Sequence, residues 1–140
     1  MKKIVVIGSG TMGLDIAQVF ARNGYEVVVR DISDEILSRA QARLNKGLDK
    51  LVSKGKMDEA GKADILAKMT FTTDLKLAAD ADLVVEAAVE NLDIKKSIFA
   101  ELDQICKSET ILASNTSSIS ITAIAAATKR EDKFIGMHFF

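Results

Sequence analysis

The chain has 140 residues, a length that suits one ordinary domain and leaves little room for a second. Hydrophobic residues make up 48% and charged residues 28%, which is typical of a globular protein and not of a disordered one. The formal net charge of −1 and the pI near 5.9 argue against a dedicated nucleic-acid binder, since such proteins usually carry a basic face. We therefore expect no nucleic-acid partner.

The cysteine content and the apolar runs indicate where the protein acts. The single cysteine, Cys106, excludes an internal disulfide and a zinc site built from several thiolates, and we expect no metal. No apolar run approaches the roughly 18–20 residues of a membrane span. The first run, residues 4–7, ends at Gly8, short of the roughly 7–15 residues of a signal peptide. These features predict a soluble, cytoplasmic protein without a membrane partner.

Short apolar runs alternate along the chain with longer segments of helical period. Strands are predicted at residues 3–7, 26–30, 69–72, 83–86, 110–113 and 134–137. The first helix is predicted over residues 12–23, with Met12, Ile16, Val19 and Phe20 on its buried face. Asn23-Gly24 is expected to end this helix.

The segment 33–68 is longer than one crossover helix. Ser33 is a predicted N-cap, and an apolar stripe follows it at Ile36, Ala40, Leu44, Leu48 and Leu51. Gly55-Lys56 interrupts the helical pattern, which predicts two helices, the first of them an arm that projects beyond the sheet.

A later helix is expected to begin after Asn91. Its predicted buried face carries Ile94, Ile98, Leu102 and Ile105. The first two strands are almost wholly apolar, as expected of strands covered on both faces. Repetition of strand, helix and strand implies right-handed crossovers, so the predicted fold is a doubly wound α/β domain with a mainly parallel sheet over residues 1–140.

The loop after the first strand has the spacing of a dinucleotide-binding turn. Residues 8–13 (GSGTMG) fit the pattern G-x-G-x-x-G, directly after a strand and at the start of a helix. Gly8 permits the tight turn, Gly10 lets the backbone approach a pyrophosphate, and Gly13 lets the helix pack on the strand. Asp31 follows Gly13 by 18 positions, at the end of the second strand, where an acid binds the adenosine ribose hydroxyls.

Two alternatives to an NAD site remain open from these residues. The turn is also compatible with a loop that binds nothing, or with FAD or S-adenosylmethionine. Asp31 would repel a 2′-phosphate and so favours NAD over NADP. Arg30, beside it, is a cation that can accommodate such a phosphate, although we expect its side chain to pack over the adenine.

Few side chains in this sequence suit proton transfer. Tyr25 is followed four positions later by Val29, so the Tyr-x-x-x-Lys pair of short-chain dehydrogenases is absent. Cys106 continues the four-residue spacing of an apolar helix face, so it is interpreted as a small buried hydrophobic residue. His138 is the only histidine, a residue type whose unperturbed pKa of about 6.5 suits acid–base work, and we expect it at the carboxyl end of the last strand. Its position fits a structural role equally well.

A polar segment follows the fifth predicted strand. Residues 114–118 (SNTSS) contain serines that fit an N-cap of the next helix, Ser117 among them. The same segment fits a polar shelf at the carboxyl edge of the sheet, where ligands bind in such folds. Both roles are possible at once, on different serines.

Four segments together resemble one family of enzymes. Residues 3–13 (KIVVIGSGTMG), 85–95 (VEAAVENLDIK), 113–119 (ASNTSSI) and 136–140 (GMHFF) are similar to the NAD-binding half of L-3-hydroxyacyl-CoA dehydrogenases. The resemblance spans the whole chain in the same order. It implies NAD as cofactor, an acyl-CoA such as 3-hydroxybutyryl-CoA or acetoacetyl-CoA as substrate, and homo-oligomers formed through the family's other half.

The resemblance also assigns roles to individual residues. Glu90 and Lys95 would line the nicotinamide side of the cofactor, and Ser117 would hydrogen-bond the 3-oxygen of the substrate. His138 would be the general base for alcohol oxidation and the general acid for ketone reduction. Without the resemblance, Glu90 and Lys95 would be interpreted as solvated residues at a helix start.

Four basic residues recur along one face of the predicted arm: Arg39, Arg43, Lys46 and Lys50. The simpler interpretation is an ordinary solvated helix face. In the family, this arm lies near the phosphates of CoA, which makes the basic face a candidate substrate-binding surface.

The family extends well beyond the His-Phe-Phe segment. Its following part supplies the carboxylate that orients the histidine, an asparagine near the substrate oxygen and most of the dimer interface. The apolar ending at Phe140 indicates a polypeptide cut at a domain boundary, so we expect cofactor binding with impaired catalysis. A stand-alone NAD(H) sensor is the alternative, although it would not need Ser117 and His138. The 3-hydroxyisobutyrate dehydrogenase group shares the glycine loop but not the later motifs.

Overall fold

A computed structural model describes residues 2–87, 91–115 and 118–137. Within these residues, six parallel strands form one sheet in the order β3-β2-β1-β4-β5-β6. The strands are β1 (Lys3–Ile7), β2 (Glu26–Arg30), β3 (Met69–Thr72), β4 (Leu83–Glu86), β5 (Ile111–Ser114) and β6 (Phe134–Gly136). The helices are α1 (Thr11–Arg22), α2 (Asp34–Ser53), α3 (Glu59–Lys68), α4 (Leu92–Ile105) and α5 (Ser118–Ala125), with 3-10 turns at Leu75–Ala78 and Glu131–Lys133. The prediction of a doubly wound fold is confirmed.

Helices cover both faces of the sheet. Successive side chains of β1 point to opposite faces, so this strand contributes to two separate cores. Ile4 and Val6 pack in one core, which also contains Leu44 of α2. Val5 and Ile7 pack in the other core, with Phe99 of α4. The central strands are therefore buried on both sides, which explains why they are almost wholly apolar.

The buried face of α1 differs from the prediction. Met12 and Val19 are 38% and 52% exposed. The residues that are buried are Gly13, Leu14, Ile16, Ala17 and Ala21. Small residues predominate on this face because α1 lies close to β1. The prediction relied on the spacing of large apolar residues, and that spacing does not identify a buried face made mainly of glycine and alanine. The helix ends at Asn23-Gly24 as predicted, with Gly24 at a φ of 91°.

The long segment after β2 forms two helices, as predicted. Ser33 caps α2 by accepting a hydrogen bond from the amide of Ile36, and Leu37 takes the buried position that was assigned to Ile36. Gly55, at a φ of 71°, lies in the turn that separates α2 from α3. Leu44 and Leu48 pack in the same core as Ile65 of α3, so this face anchors α2 to the sheet.

The buried face of α4 is rotated from the predicted one, with Leu102 buried as expected and Ile98 and Ile105 partly buried. Asn91 caps the helix by accepting a hydrogen bond from the amide of Ile94, as expected. However, its buried residues are Lys95, Phe99 and Leu102, whereas Ile94 is 47% exposed. None of the helices that the structure describes is long and apolar enough to cross a membrane.

Candidate cofactor-binding site

The glycine loop between β1 and α1 is shaped by two close contacts. Gly8 has a φ of 107°, in the region that favours glycine, and its amide donates to the Arg30 carbonyl at 2.8 Å. A Cβ atom on Gly13 would lie 2.0 Å from the Gly8 carbonyl oxygen. Side chains are thus excluded at both positions, and the first turn of α1 is held against the loop as the spacing predicted.

Gly10 has the opposite surroundings. A Cβ atom built there would meet nothing within 4 Å, so the residue faces open space. Gly10 is the N-cap of α1, and the amides of the first helical turn follow it. Such amides and the positive end of the helix dipole attract a phosphate, and the absent side chain leaves room for it.

A cleft of about 380 Å³ opens beside this loop. It lies at the carboxyl ends of β1, β2 and β4, where the strand order reverses and such sheets bind dinucleotides. The residues that line it are Ile7, Gly8, Gly10, Arg30, Asp31, Ile32, Ala87, Ile94 and Ile98. Its walls are largely apolar, with one carboxylate and one guanidinium. This composition suits a nucleotide that has an apolar base and polar sugars.

Asp31 is fixed in place by hydrogen bonds from the backbone and from one hydroxyl. Its Oδ2 accepts from the amide of Ser9 at 2.8 Å and from the Ser9 hydroxyl at 2.7 Å, while Oδ1 accepts from the Ile32 amide at 2.8 Å. Partial burial opposes ionisation, but these hydrogen bonds and the charge of Arg30 outweigh it and hold the pKa of Asp31 below its ordinary 3.8. The residue is therefore a carboxylate at neutral pH.

Ser9 contributes to this site through its contacts, although the sequence reasoning missed it. It is fully buried, and its carbonyl oxygen accepts a hydrogen bond from Nη2 of Arg43 at 2.7 Å. Ser9 thus joins the loop to β2 through Asp31 and to α2 through Arg43. The motif treats this position as variable, so the only available signal was a hydroxyl-bearing residue between two glycines.

A second polar cluster lies at the carboxyl ends of β4 and β5. The ammonium of Lys95 donates to Oε1 of Glu86 at 2.6 Å, and the hydroxyl of Ser114 donates to the same oxygen at 2.7 Å. Glu86 and Ser114 are fully buried, and Lys95 is 5% exposed. Lys95 is therefore not the solvated lysine that its sequence context alone suggests, and Glu86 was not singled out by the sequence analysis.

Comparison with known proteins decides the family. The family model described as "3-hydroxyacyl-CoA dehydrogenase, NAD binding domain" matches residues 3–140. The chain belongs to this family of NAD-binding domains. It is 51% identical to a 3-hydroxybutyryl-CoA dehydrogenase of Clostridioides difficile, over 99% of the chain and 49% of that relative. It is 54% identical to a probable 3-hydroxybutyryl-CoA dehydrogenase of Deinococcus radiodurans, over 98% of the chain and 49% of that relative.

A solved structure agrees with these relatives. The (S)-3-hydroxybutyryl-CoA dehydrogenase of Ralstonia eutropha superposes with a TM-score of 0.95 at 46% identity, and the match covers the whole chain and 50% of that structure. The chain thus spans about half the length of the relatives it matches. The predicted resemblance is confirmed, and so is NAD as the cofactor of this family.

The residues of this NAD-binding domain fit that cofactor. Gly10 leaves the space in which a Cβ atom would stand, beside the amides of α1, and this position can hold the pyrophosphate. Asp31 is an ionised acceptor at the cleft wall, placed for the adenosine ribose. Arg30 also lines the cleft, while its Nε donates to the Thr73 carbonyl at 3.2 Å.

The four basic residues of α2 differ in the contacts that they make. All four are exposed, but Arg43 turns to the Ser9 carbonyl, and Arg39 forms an ion pair with Glu35 one turn earlier. The hypothesis that Arg39, Arg43, Lys46 and Lys50 bind CoA therefore stays a prediction, and Arg43 has a second role in the loop.

Three predicted site residues, Glu90, Ser117 and His138, lie outside the described residues. Their assigned roles remain predictions. Cys106 is buried as expected, and burial, partly offset by the charge of Arg130, raises the pKa of its thiol to about 11.

Proposed function

We propose that this NAD-binding domain is the cofactor half of an enzyme that moves a hydride between C3 of a 3-hydroxyacyl-CoA and NAD. The observation that carries the proposal is the cleft with Gly10 open to solvent and Asp31 held ionised at its wall. The names of the relatives, 3-hydroxybutyryl-CoA dehydrogenases, support a short-chain acyl-CoA as the substrate.

The residues of the cleft bind and orient the cofactor. The amides after Gly10 donate to the pyrophosphate, and Asp31 accepts hydrogen bonds from the ribose hydroxyls of the adenosine. The carboxylate of Asp31 also repels a 2′-phosphate, which selects NAD over NADP. A bound nicotinamide supplies the hydride acceptor or donor.

The family resemblance supports roles for residues on the substrate side. Ser117 hydrogen-bonds the 3-oxygen of the substrate, and His138 removes or returns the hydroxyl proton. The resemblance also assigns Glu90 and Lys95 to the nicotinamide side of the cofactor. In the family, the chain beyond residue 140 carries the carboxylate that orients the histidine. In serine proteases, the loss of an orienting acid costs on the order of 10⁴ in rate, so we expect slow turnover from residues 1–140 alone.

NADH oxidation with acetoacetyl-CoA tests this function, followed as the loss of the nicotinamide absorbance band. The polypeptide of residues 1–140 is compared with a fusion to the second half of the Clostridioides difficile relative, each with and without His138→Ala. We expect NADH binding in both forms, and turnover that rises on fusion and disappears with His138→Ala. Binding without turnover in the fusion would instead support an NAD(H)-binding module that performs no chemistry.

A substitution at Gly10 tests the cleft itself. Gly10→Val places a side chain where the structure has open space, so the fold is retained and the phosphate position is blocked. We expect NADH affinity to fall by at least tenfold with little change in the unfolding midpoint. Gly47→Ala, at another glycine with open surroundings but on α2, is the control for affinity and should leave NADH binding unchanged.

The basic face of α2 is tested separately as a CoA site. Because Arg43 contacts the loop, Lys46→Glu and Lys50→Glu are the informative pair, with Arg39→Glu added as a third change. A weaker affinity for a CoA ester at unchanged NADH affinity supports phosphate binding by this face. Unchanged affinity for the ester supports a solvated face.

A further inference from the structure

Glu86 and Lys95 form an ion pair, and the proposed function gives Glu86 no role. The Glu86 side chain is fully buried and that of Lys95 is 6% exposed, with 2.6 Å between Oε1 and Nζ. Burying two charges removes their hydration, and a buried pair is often no more stabilising than apolar residues of the same size. A contribution to folding stability therefore does not by itself explain why this ion pair is present.

The pair lies beside the cofactor cleft. Glu86 is the last residue of β4 and directly precedes Ala87, which lines the cleft. Lys95 is on α4, and its neighbours on this helix, Ile94 and Ile98, line the cleft as well. Both charges are thus carried by the elements that form one wall.

This wall belongs to the nicotinamide half of the site. In a sheet of this strand order, the two nucleotides of a dinucleotide bind on either side of the crevice between β1 and β4. Asp31, at the end of β2, marks the adenosine side. Glu86 and Ser114, at the ends of β4 and β5, lie on the other side.

The charge at this end of the cleft matters because the two forms of the cofactor differ in charge. The oxidised nicotinamide ring carries one positive charge and the reduced ring none. A lysine ammonium without a counter-charge would disfavour the oxidised form only. We propose that Glu86 is a positioning residue that holds the Lys95 ammonium at the nicotinamide end and cancels its charge, so that the oxidised cofactor is accepted as well as the reduced one.

Ser114 completes the arrangement on the carboxylate. Its hydroxyl donates to the same Oε1 atom, which ties β5 to β4 and orients the Glu86 carboxylate. Ser114 adds no charge. Replacing Ser114 therefore changes the orientation of the Glu86 carboxylate without changing the charge, which distinguishes the two possible roles of Glu86. The inference rests on the proposed function, since only a domain that binds both cofactor forms requires this balance.

The test is the ratio of the dissociation constants of NAD⁺ and NADH, measured by calorimetry on the 140-residue chain. We expect Glu86→Gln to raise this ratio roughly tenfold, the size of effect that one charge about 10 Å away exerts at an effective dielectric constant of about 20. ADP-ribose, which lacks the nicotinamide, should keep its affinity within twofold. An equal loss for all three ligands would mean a merely structural role and would overturn the proposal.

A second variant keeps the test decisive if Glu86→Gln folds poorly. Lys95→Met leaves the carboxylate without its cation, so the ratio should shift in the opposite direction, towards tighter NAD⁺ binding. A structural role does not produce shifts of opposite sign. Shifts of the same sign in the two variants would therefore refute the charge-balance role.

Two controls accompany these variants. Ser114→Ala removes an uncharged donor to the same oxygen, and Glu26→Gln makes the same chemical change at the exposed start of β2. Both should leave the ratio unchanged, and a shift in either would overturn the proposal. If the unmodified chain bound ADP-ribose but not NADH, the inference would fail alone. If it bound neither, the proposed function would fail with it.

Discussion

The Ser9 hydroxyl and amide both donate to Oδ2 of Asp31, at 2.7 and 2.8 Å, and so join the glycine loop to the end of β2. The two residues are 22 positions apart in the chain. Because this contact forms within the protein itself, the chain's own groups orient the carboxylate that we propose as the ribose acceptor. Oδ1 accepts only the Ile32 amide among the described hydrogen bonds and keeps acceptor capacity for a ribose hydroxyl.

Ser9→Ala tests this connection. The variant loses one hydrogen bond to a charged group, a contact of about 1.5–3 kcal/mol, and leaves Oδ2 of Asp31 with the Ser9 amide alone. We expect the free energy of unfolding to fall by about 1–2 kcal/mol and NADH affinity to fall several-fold, measured by urea unfolding and calorimetry. Ser53→Ala, whose hydroxyl bonds the Lys50 carbonyl at the exposed end of α2, should change neither. Unaltered NADH affinity in Ser9→Ala would contradict a positioning role.

Two glycine substitutions with opposite expected effects on folding stability test the packing of α1 on the loop. Gly13→Ala forces a Cβ atom to 2.0 Å from the Gly8 carbonyl oxygen, and we expect at least about 2–3 kcal/mol of destabilisation. Gly47→Ala meets no atom within 4 Å and lies inside α2, where alanine favours the helix by about 0.5–1 kcal/mol. Urea midpoints should move in opposite directions. A neutral Gly13→Ala would show that the loop can shift freely.

The stability contributed by Asp31 should depend on pH. Its pKa is lower in the folded state than its ordinary 3.8, so the unfolded chain binds the proton more tightly. The contribution is complete above about pH 5 and is lost as the pH falls through 3.8 to the folded pKa. The difference in unfolding free energy between the unmodified chain and Asp31→Asn should therefore shrink over this range. A difference independent of pH would exclude the carboxylate as its source.

Arg130 holds the carboxyl end of α4. The Arg130 side chain is 9% exposed, and its guanidinium pairs with the Asp103 carboxylate at 2.6 Å. It also donates to four carbonyl oxygens, those of Asp103, Cys106, Lys107 and Thr110. The carbonyls at a helix end lack intrahelical partners, and this one side chain satisfies several of them.

Arg130→Met should therefore lower stability without altering the cofactor site. Removing it leaves a largely buried carboxylate unpaired, a loss of about 3–5 kcal/mol. We expect a large drop in the thermal midpoint and an NADH dissociation constant within twofold at a temperature where the variant is folded. Arg22→Ala, at the exposed end of α1, is the control and should be near neutral. A parallel loss of affinity in the folded variant would show that α4 transmits the change to the cleft.

Cys106 should be unreactive in the folded chain. Burial raises the pKa of its thiol to about 11, so at pH 8 only about a thousandth is thiolate, and the side chain is 7% exposed. Alkylation by iodoacetamide, followed by mass spectrometry, should proceed in urea and be strongly suppressed without it. Rapid modification of the folded chain would mean that the carboxyl end of α4 opens readily.

The strands, the helix caps and the glycine loop could be predicted from the sequence, because each depends on residues close together in the chain. Ser33 and Asn91 cap the helices that they precede, and the 18-residue spacing from Gly13 places Asp31 at the cleft. These features follow from local hydrogen bonds, φ preferences and the alternation of apolar residues, which a sequence displays directly.

The tertiary structure alone decided which helix faces are buried and which polar groups meet. Small residues on α1 and Phe99 on α4 pack inward because the sheet sets the distance available to each helix. The Ser9–Asp31 and Ser114–Glu86 pairs join residues 22 and 28 positions apart in the chain, at the carboxyl ends of neighbouring strands. No local pattern encodes such contacts, because they depend on the order in which parallel strands are placed.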